Sequence, residues 1–86
     1  MHGNVTDEQW EMWRDAYTFF AAYCNPPPNQ DDEAPVWWDK PNGEIGTLYA
    51  KWNRHPLIEK LLVATYEYIN EVAKEKTEEM ADFVQE

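Results

Sequence analysis

The sequence predicts an all-α fold, a small helical bundle in which residues 1–86 form one domain around two long antiparallel helices. Three observations lead to this prediction. Apolar residues recur at helical spacing over about 7–24 and again over about 56–76 or beyond. Both segments open on a helix-start signal. Between them, a Pro-rich and acidic connection over residues 25–43 leads to a short middle helix at about 44–54.

The first helix begins at a capping box, with Thr6 as the N-cap and Gln9 three residues later. Pro26 ends the helix, because a residue that precedes proline is disfavoured in the α region. The opposite face carries acidic residues, so the helix is strongly amphipathic. The predicted core stripe of this helix consists of Trp10, Trp13, Tyr17, Phe20 and Cys24. The apolar residues that flank the stripe are Met12, Ala16, Phe19 and Tyr23.

The segment 36–49 leaves two structures open. Asn42-Gly43 between apolar residues is a signal for a β-hairpin. The same residues also fit a loop followed by a helix, with Asn42 as its N-cap. We favour the helix, because four apolar residues then share one face at i, i+3, i+4 and i+7: Ile45, Leu48, Tyr49 and Trp52.

The last helix begins at Pro56, since proline suits the first helical position. One apolar stripe follows its whole length and includes Ile58, Leu62 and Ile69. A second stripe, about 120° away, is apolar only in the first half of the helix, which predicts that this half is covered on two sides. The apolar members of the second stripe are Leu57, Leu61, Ala64 and Tyr68, and its acidic members are Glu75, Glu79, Asp82 and Glu86.

The length of this helix predicts a possible contact outside the monomer. Carried to Val84 it would reach about 43 Å, against about 27 Å for the first helix. Either its end frays beyond Lys76, or Met80, Phe83 and Val84 contact a second copy or a partner, which would make the protein a homo-oligomer or a structural dimerisation module.

The charge balance restricts the class of partner. Seventeen acidic residues stand against seven basic ones, a formal net charge of −10. This balance argues against direct binding to nucleic acid or to an anionic membrane, and it permits a partner protein with a basic surface. Cys24 is the one cysteine, so we expect no intramolecular disulfide and a cytoplasmic location. No apolar run is long enough for a membrane span.

The sequence predicts no enzyme, no cofactor and no metal site. Its three glycines form no phosphate-binding loop, and two histidines with one cysteine match no zinc spacing. The best catalytic candidate is His55 with a nearby acid. We interpret His55 instead as a structural residue at the corner between two helices.

Two sets of residues are candidates for binding. The first, which we call the acidic edge, has carboxylates about 5 to 6 Å apart along the last helix, a spacing that resembles the phosphates of a nucleic-acid strand. The second combines aromatic faces with cations and predicts a pocket for a small nucleotide. The acidic edge comprises Glu71, Glu75, Glu78, Glu79 and Asp82, and the nucleotide set comprises Trp37, Trp38, Lys40, Lys51, Trp52, Arg54 and His55.

The pattern of aromatic residues and the corner His55-Pro56-Leu57 resemble those of small proteins carried by prophages and mobile elements of Gram-positive gut bacteria. The likeness covers about residues 10–70 and includes Trp10, Trp13, Asn25-Pro26-Pro27 and Trp37-Trp38. It implies a mobile-element origin and an inhibitor that acts on a system of the host cell. Our first hypothesis is therefore a noncatalytic inhibitor of a host defence or nucleic-acid-handling protein. The alternative is a protein that sequesters a small nucleotide immune signal.

Overall fold

The computed structural model describes the backbone of residues 3–84 and the side chains of residues 3–79. Within this range the chain forms three α-helices and no strand: α1 (Asp7–Tyr23), α2 (Ala34–Lys51) and α3 (Pro56–Val84). The prediction of an all-α helical bundle is confirmed, and the hairpin alternative for residues 36–49 is wrong. No helix in the described range is long and apolar enough to cross a membrane.

Helix α1 starts where the sequence predicts, but the face that it buries is not the predicted one. The capping box is complete, because Gln9 N–H donates to Thr6 Oγ1 at 3.1 Å and Thr6 N–H donates to Gln9 Oε1 at 3.0 Å. The predicted core stripe is wrong, since Trp13 and Tyr17 are 57% and 69% exposed. The buried face consists of residues assigned to its flank, namely Met12, Ala16 and Phe19. The apolar face of α1 is broader than its contact with the other two helices, so Trp13 and Tyr17 remain largely exposed to solvent.

Helix α2 is much longer than the predicted middle helix of residues 44–54, and the Pro-rich connection is correspondingly shorter. Pro35 lies in the first turn, where a missing N–H costs nothing. Pro41 lies inside the helix, where it cannot donate to the carbonyl of Trp37, yet its ring is fully buried against the core. Apolar residues at helical spacing continue on both sides of Pro41, and their packing stabilises the helix despite the lost hydrogen bond. These residues are Ala34, Trp38, Pro41, Ile45, Leu48 and Trp52.

The two long helices run parallel, so the predicted antiparallel arrangement is wrong. Glu8 near the start of α1 lies 3.9 Å from His55, which precedes α3. Beyond the end of α1, the Pro26 carbonyl accepts a hydrogen bond from Lys76 Nζ at 2.7 Å. The reason is the length of α2, because a helix of 18 residues carries the chain back to the start of α1 before α3 begins.

The core lies between the three helices. The first predicted stripe of α3 is confirmed as its buried face, since Ile58, Leu62 and Ile69 have no exposed surface. A chain of ring contacts then joins all three helices, with centroids 4.9 to 5.9 Å apart. Its members, in order, are Phe19 and Tyr23 of α1, Trp37 and Trp38 of α2, and Tyr66 of α3.

Candidate functional site

The acidic edge lies on the outside of α3. Glu71, Glu75, Glu78 and Glu79 are all exposed, and within the described part of the chain none of them forms a salt bridge. Asp82 belongs to the same helix, but its side chain lies outside the described residues. One uninterrupted helix therefore presents four carboxylates whose charges no described cation neutralises by direct contact.

The helix that carries the acidic edge projects beyond the rest of the bundle. The last hydrogen bonds between α3 and the connection end at Thr77, whose Oγ1 accepts from Asn29 N–H at 2.8 Å and whose carbonyl accepts from Gln30 Nε2 at 3.3 Å. The molecule is accordingly elongated, with principal extents of 55 × 24 × 17 Å. A flat or concave partner can reach the carboxylates near this end without meeting α1 or α2.

The predicted nucleotide set is divided by the structure. Trp37 and Trp38 lie in the first half of α2, whereas Lys51 and Trp52 lie at its end, about 20 Å away at 1.5 Å per residue. Lys40 is exposed on the same helix. A single small nucleotide cannot contact both groups.

Each member of the nucleotide set near the end of α2 already has a structural role. Lys51 Nζ and Trp52 Nε1 both donate to Asp15 Oδ2, at 2.7 and 2.9 Å. The guanidinium of Arg54 lies 5.4 Å from the ring centroid of Tyr49. These contacts hold the side chains against the bundle.

His55 is the corner residue that the sequence indicates. Its Nδ1 accepts a hydrogen bond from Leu57 N–H at 3.1 Å, and its carbonyl accepts from Glu59 N–H at 3.1 Å. Both bonds are those of an N-cap residue, so His55 satisfies the first turn of α3. The chain reaches this corner through Asn53 and Arg54, which both adopt a left-handed φ of 53°.

Two groups among the described residues have shifted pKa values, and packing explains both shifts. Burial raises the pKa of Asp15, but the hydrogen bonds from Lys51 and Trp52 and the nearby positive charges lower it by more, so the net shift is downward. Burial and the hydrogen bond to Glu44 raise the pKa of Tyr23. Neither group lies in the acidic edge, and both stabilise contacts between α1 and α2.

Two clefts of the bundle together contain one member of the nucleotide set. A cleft of about 430 Å³ between α2 and α3 contains none and is lined by Asn42, Ile45, Tyr49, Leu62, Val63, Tyr66, Glu67 and Asn70. A second cleft, of about 480 Å³ at the end of α2, contains Arg54 but no other member, and is lined by Gly46, Tyr49, Ala50, Asn53 and Arg54. Within the described residues, no three His, Cys, Asp or Glu side chains are grouped closely enough to hold a metal ion.

A second exposed surface, which the sequence pattern did not predict, lies between α1 and α3. Since α1 does not bury its predicted stripe, three residues of that stripe border a groove of about 200 Å³, namely Trp13, Tyr17 and Phe20. Leu61 and Thr65 of α3 form the other wall of the groove. The signal was present in the sequence, since the apolar residues of α1 cover more than half its circumference and one helix contact cannot bury them all.

Comparisons with known proteins give no further assignment: the chain matches no protein-family model, no curated protein and no solved structure. The resemblance to prophage proteins stays a prediction. The oligomer contact predicted for Met80, Phe83 and Val84 also stays one, because these side chains lie outside the described residues.

Proposed function

We propose that this chain is a noncatalytic binding protein that inhibits a host defence or nucleic-acid-handling protein by occupying its basic surface. The observation that supports the proposal is the acidic edge, in which Glu71, Glu75, Glu78 and Glu79 are exposed on α3 without a described salt bridge, and Glu78 and Glu79 lie where α3 projects beyond the bundle. Such carboxylates are free to pair with cations of a partner. The origin in a mobile element comes from the resemblance alone.

The proposed mechanism is electrostatic mimicry of a nucleic-acid strand. Carboxylates three or four residues apart on a helix lie about 5 to 6 Å from one another, and the helix holds them at fixed spacing. A net charge of −10 would accelerate encounter with a basic surface, an effect that weakens as salt screens the charges. The bound inhibitor would then exclude nucleic acid from the same cations.

The test compares partner capture by the wild-type chain and by a variant with four neutralised carboxylates. The variant is Glu71→Gln, Glu75→Gln, Glu78→Gln and Glu79→Gln. We expect a protein captured from host extract by the wild type to bind the variant at least tenfold more weakly. We also expect double-stranded DNA or RNA to displace the wild-type chain from that protein, because both would occupy one surface.

The matched control neutralises four exposed acids elsewhere and has the same net charge as the test variant: Glu11→Gln, Asp32→Asn, Asp39→Asn and Glu59→Gln. Mimicry at the acidic edge predicts that this control keeps most of the affinity. Equal loss in both variants would show that net charge alone acts. A partner that nucleic acid does not displace would also overturn the proposal.

A further inference from the structure

A second surface, which we call the aromatic groove, adjoins the acidic edge. It consists of the cleft between α1 and α3 together with Tyr68, whose ring lies 5.9 Å from that of Phe20. Trp13, Tyr17 and Tyr68 are 57%, 69% and 53% exposed, so three large aromatic side chains project from one side of the bundle. Its members are Trp13, Tyr17, Phe20, Leu61, Thr65 and Tyr68.

The aromatic groove and the acidic edge follow the same side of α3. Leu61, Tyr68 and Glu75 are spaced by seven residues, so each lies about 20° from the next around the helix, and Leu61 and Glu75 lie about 40° apart. Glu79 is one further turn along. From Leu61 to Glu79 the surface is about 27 Å long, and it changes from apolar to acidic at Tyr68.

The charges of this surface are confined to one end. Glu75 and Glu79 are exposed and lie within about 40° of Leu61 and Tyr68 around α3. The aromatic groove itself contains no charged side chain. A complementary partner therefore needs apolar side chains along one stripe and cations only where they face the carboxylates.

We propose that the partner presents an amphipathic helix whose apolar side chains enter the aromatic groove and whose lysine or arginine residues, at one end, pair with Glu75 and Glu79. This inference rests on the proposed function and names the chemical class of the partner. An α-helix fits because about 18 residues span the 27 Å of surface. Trp13, Tyr17 and Tyr68 would supply most of the apolar contact, since aromatic side chains commonly dominate binding energy at interfaces.

The test uses a synthetic probe of 18 residues, labelled with fluorescein and followed by fluorescence anisotropy against the full chain. The probe has a leucine stripe at helical spacing, lysines confined to its last two turns and neutral polar residues elsewhere. A second probe carries glutamate in place of each lysine. We expect saturable binding of the lysine probe and at least tenfold weaker binding of the glutamate probe.

Variants of the protein then separate the two surfaces. We expect Trp13→Ser and Tyr68→Ser each to lower the affinity of the chain for the lysine probe at least tenfold. The matched control is Val36→Ser, which removes an apolar side chain that is 61% exposed outside the groove and should change affinity less than twofold. Circular dichroism and the melting temperature establish that each variant is folded.

The outcomes distinguish this inference from the proposed function. If the groove variants bind the lysine probe with wild-type affinity, the inference fails. In that case, weaker probe binding by the Glu75→Gln, Glu79→Gln variant would still support a binding role for the acidic edge. If the groove variants lose the probe and this charge variant does not, the groove binds without the acidic edge and the proposed charge pairing is wrong. Sedimentation that shows a wild-type dimer broken by Trp13→Ser would assign the groove to a second copy and overturn the inference.

Discussion

Trp52 Nε1 donates a hydrogen bond to Asp15 Oδ2 at 2.9 Å, and Lys51 Nζ donates to the same oxygen at 2.7 Å. This joint fixes the end of α2 against the middle of α1, where the Asp15 side chain is 14% exposed. Asp15→Ala leaves a partly buried indole N–H without its acceptor. We expect the free energy of unfolding, measured by urea denaturation, to fall by about 1.5 to 3 kcal/mol.

The control for this prediction is Asp39→Ala, which removes an exposed carboxylate from the surface of α2. Exposed substitutions of this kind change stability by about 0.5 kcal/mol or less. An Asp15→Ala variant as stable as the Asp39→Ala variant would contradict the assigned role of the joint.

The same joint predicts a dependence of stability on pH. The pKa of Asp15 is lowered in the folded chain, because the hydrogen bonds from Lys51 and Trp52 and the positive charges of Lys51 and Arg14 outweigh the opposing effect of burial. A carboxyl with a lowered pKa contributes stability above its unfolded pKa, about 3.9, and loses it as the pH falls through the folded value. The stability gap between wild type and Asp15→Asn should therefore be constant from about pH 7 to 5 and shrink below about pH 4.

The difference in stability between the wild type and Asp15→Asn cancels the titration of the other carboxylates, because these groups respond to acidification in the same way in both proteins. Denaturation midpoints at a series of pH values give the gap directly. A gap that widens on acidification would mean that the pKa of Asp15 is raised on folding.

Trp38 provides a prediction that separates structural from ligand-binding roles. It is half-buried between Trp37 and Tyr66, with ring centroids 4.9 and 5.4 Å away. Trp38→Ala removes two ring contacts and part of the core, and we expect a loss of about 2 to 4 kcal/mol in the free energy of unfolding. Trp38→Phe keeps a ring and should lose less than half as much.

The matching measurement is calorimetry of the wild-type chain against a panel of nucleotides. Because the nucleotide set is split between two parts of α2, we expect no saturable binding. Tight binding that Trp38→Phe abolishes without loss of stability would revive the nucleotide-sequestering alternative.

Local signals predicted much of the fold, and their failures have physical causes. The capping box at Thr6, the corner at His55 and the buried stripe of α3 depend on neighbouring residues and were all predicted. The first half of α2 was not predicted, because proline normally ends or prevents a helix. Pro35 is harmless in a first turn, and the apolar repeat on both sides of Pro41 outweighed the lost hydrogen bond.

The candidate site could be predicted only where exposure follows from charge. Glutamates at helical spacing are exposed in almost any fold, so the acidic edge could be found from the sequence. Which side of α1 is buried depends on where α2 and α3 lie, and periodicity alone could not decide between Met12 and Trp13. The aromatic groove therefore needed the three-dimensional arrangement.

The direction of α3 relative to α1 gives a prediction that tests the whole arrangement. Glu11 is on α1, and Glu59 and Glu78 are on α3, all three exposed. In the parallel arrangement Glu11 lies near the level of Glu59, and Glu78 is displaced along the axis by about 28 Å. Spin labels at residues 11 and 59 should therefore give a short distance by pulsed dipolar EPR, and labels at 11 and 78 a distance of at least about 28 Å.

The labelling background is Cys24→Ser, which removes the one native thiol and leaves the two introduced cysteines as the reactive sites. The melting temperature of the doubly labelled chains establishes that the bundle is intact. An antiparallel pair of helices would reverse the order of the two distances. That result would also separate Trp13 and Tyr17 from Leu61, and the aromatic groove would not exist as one surface.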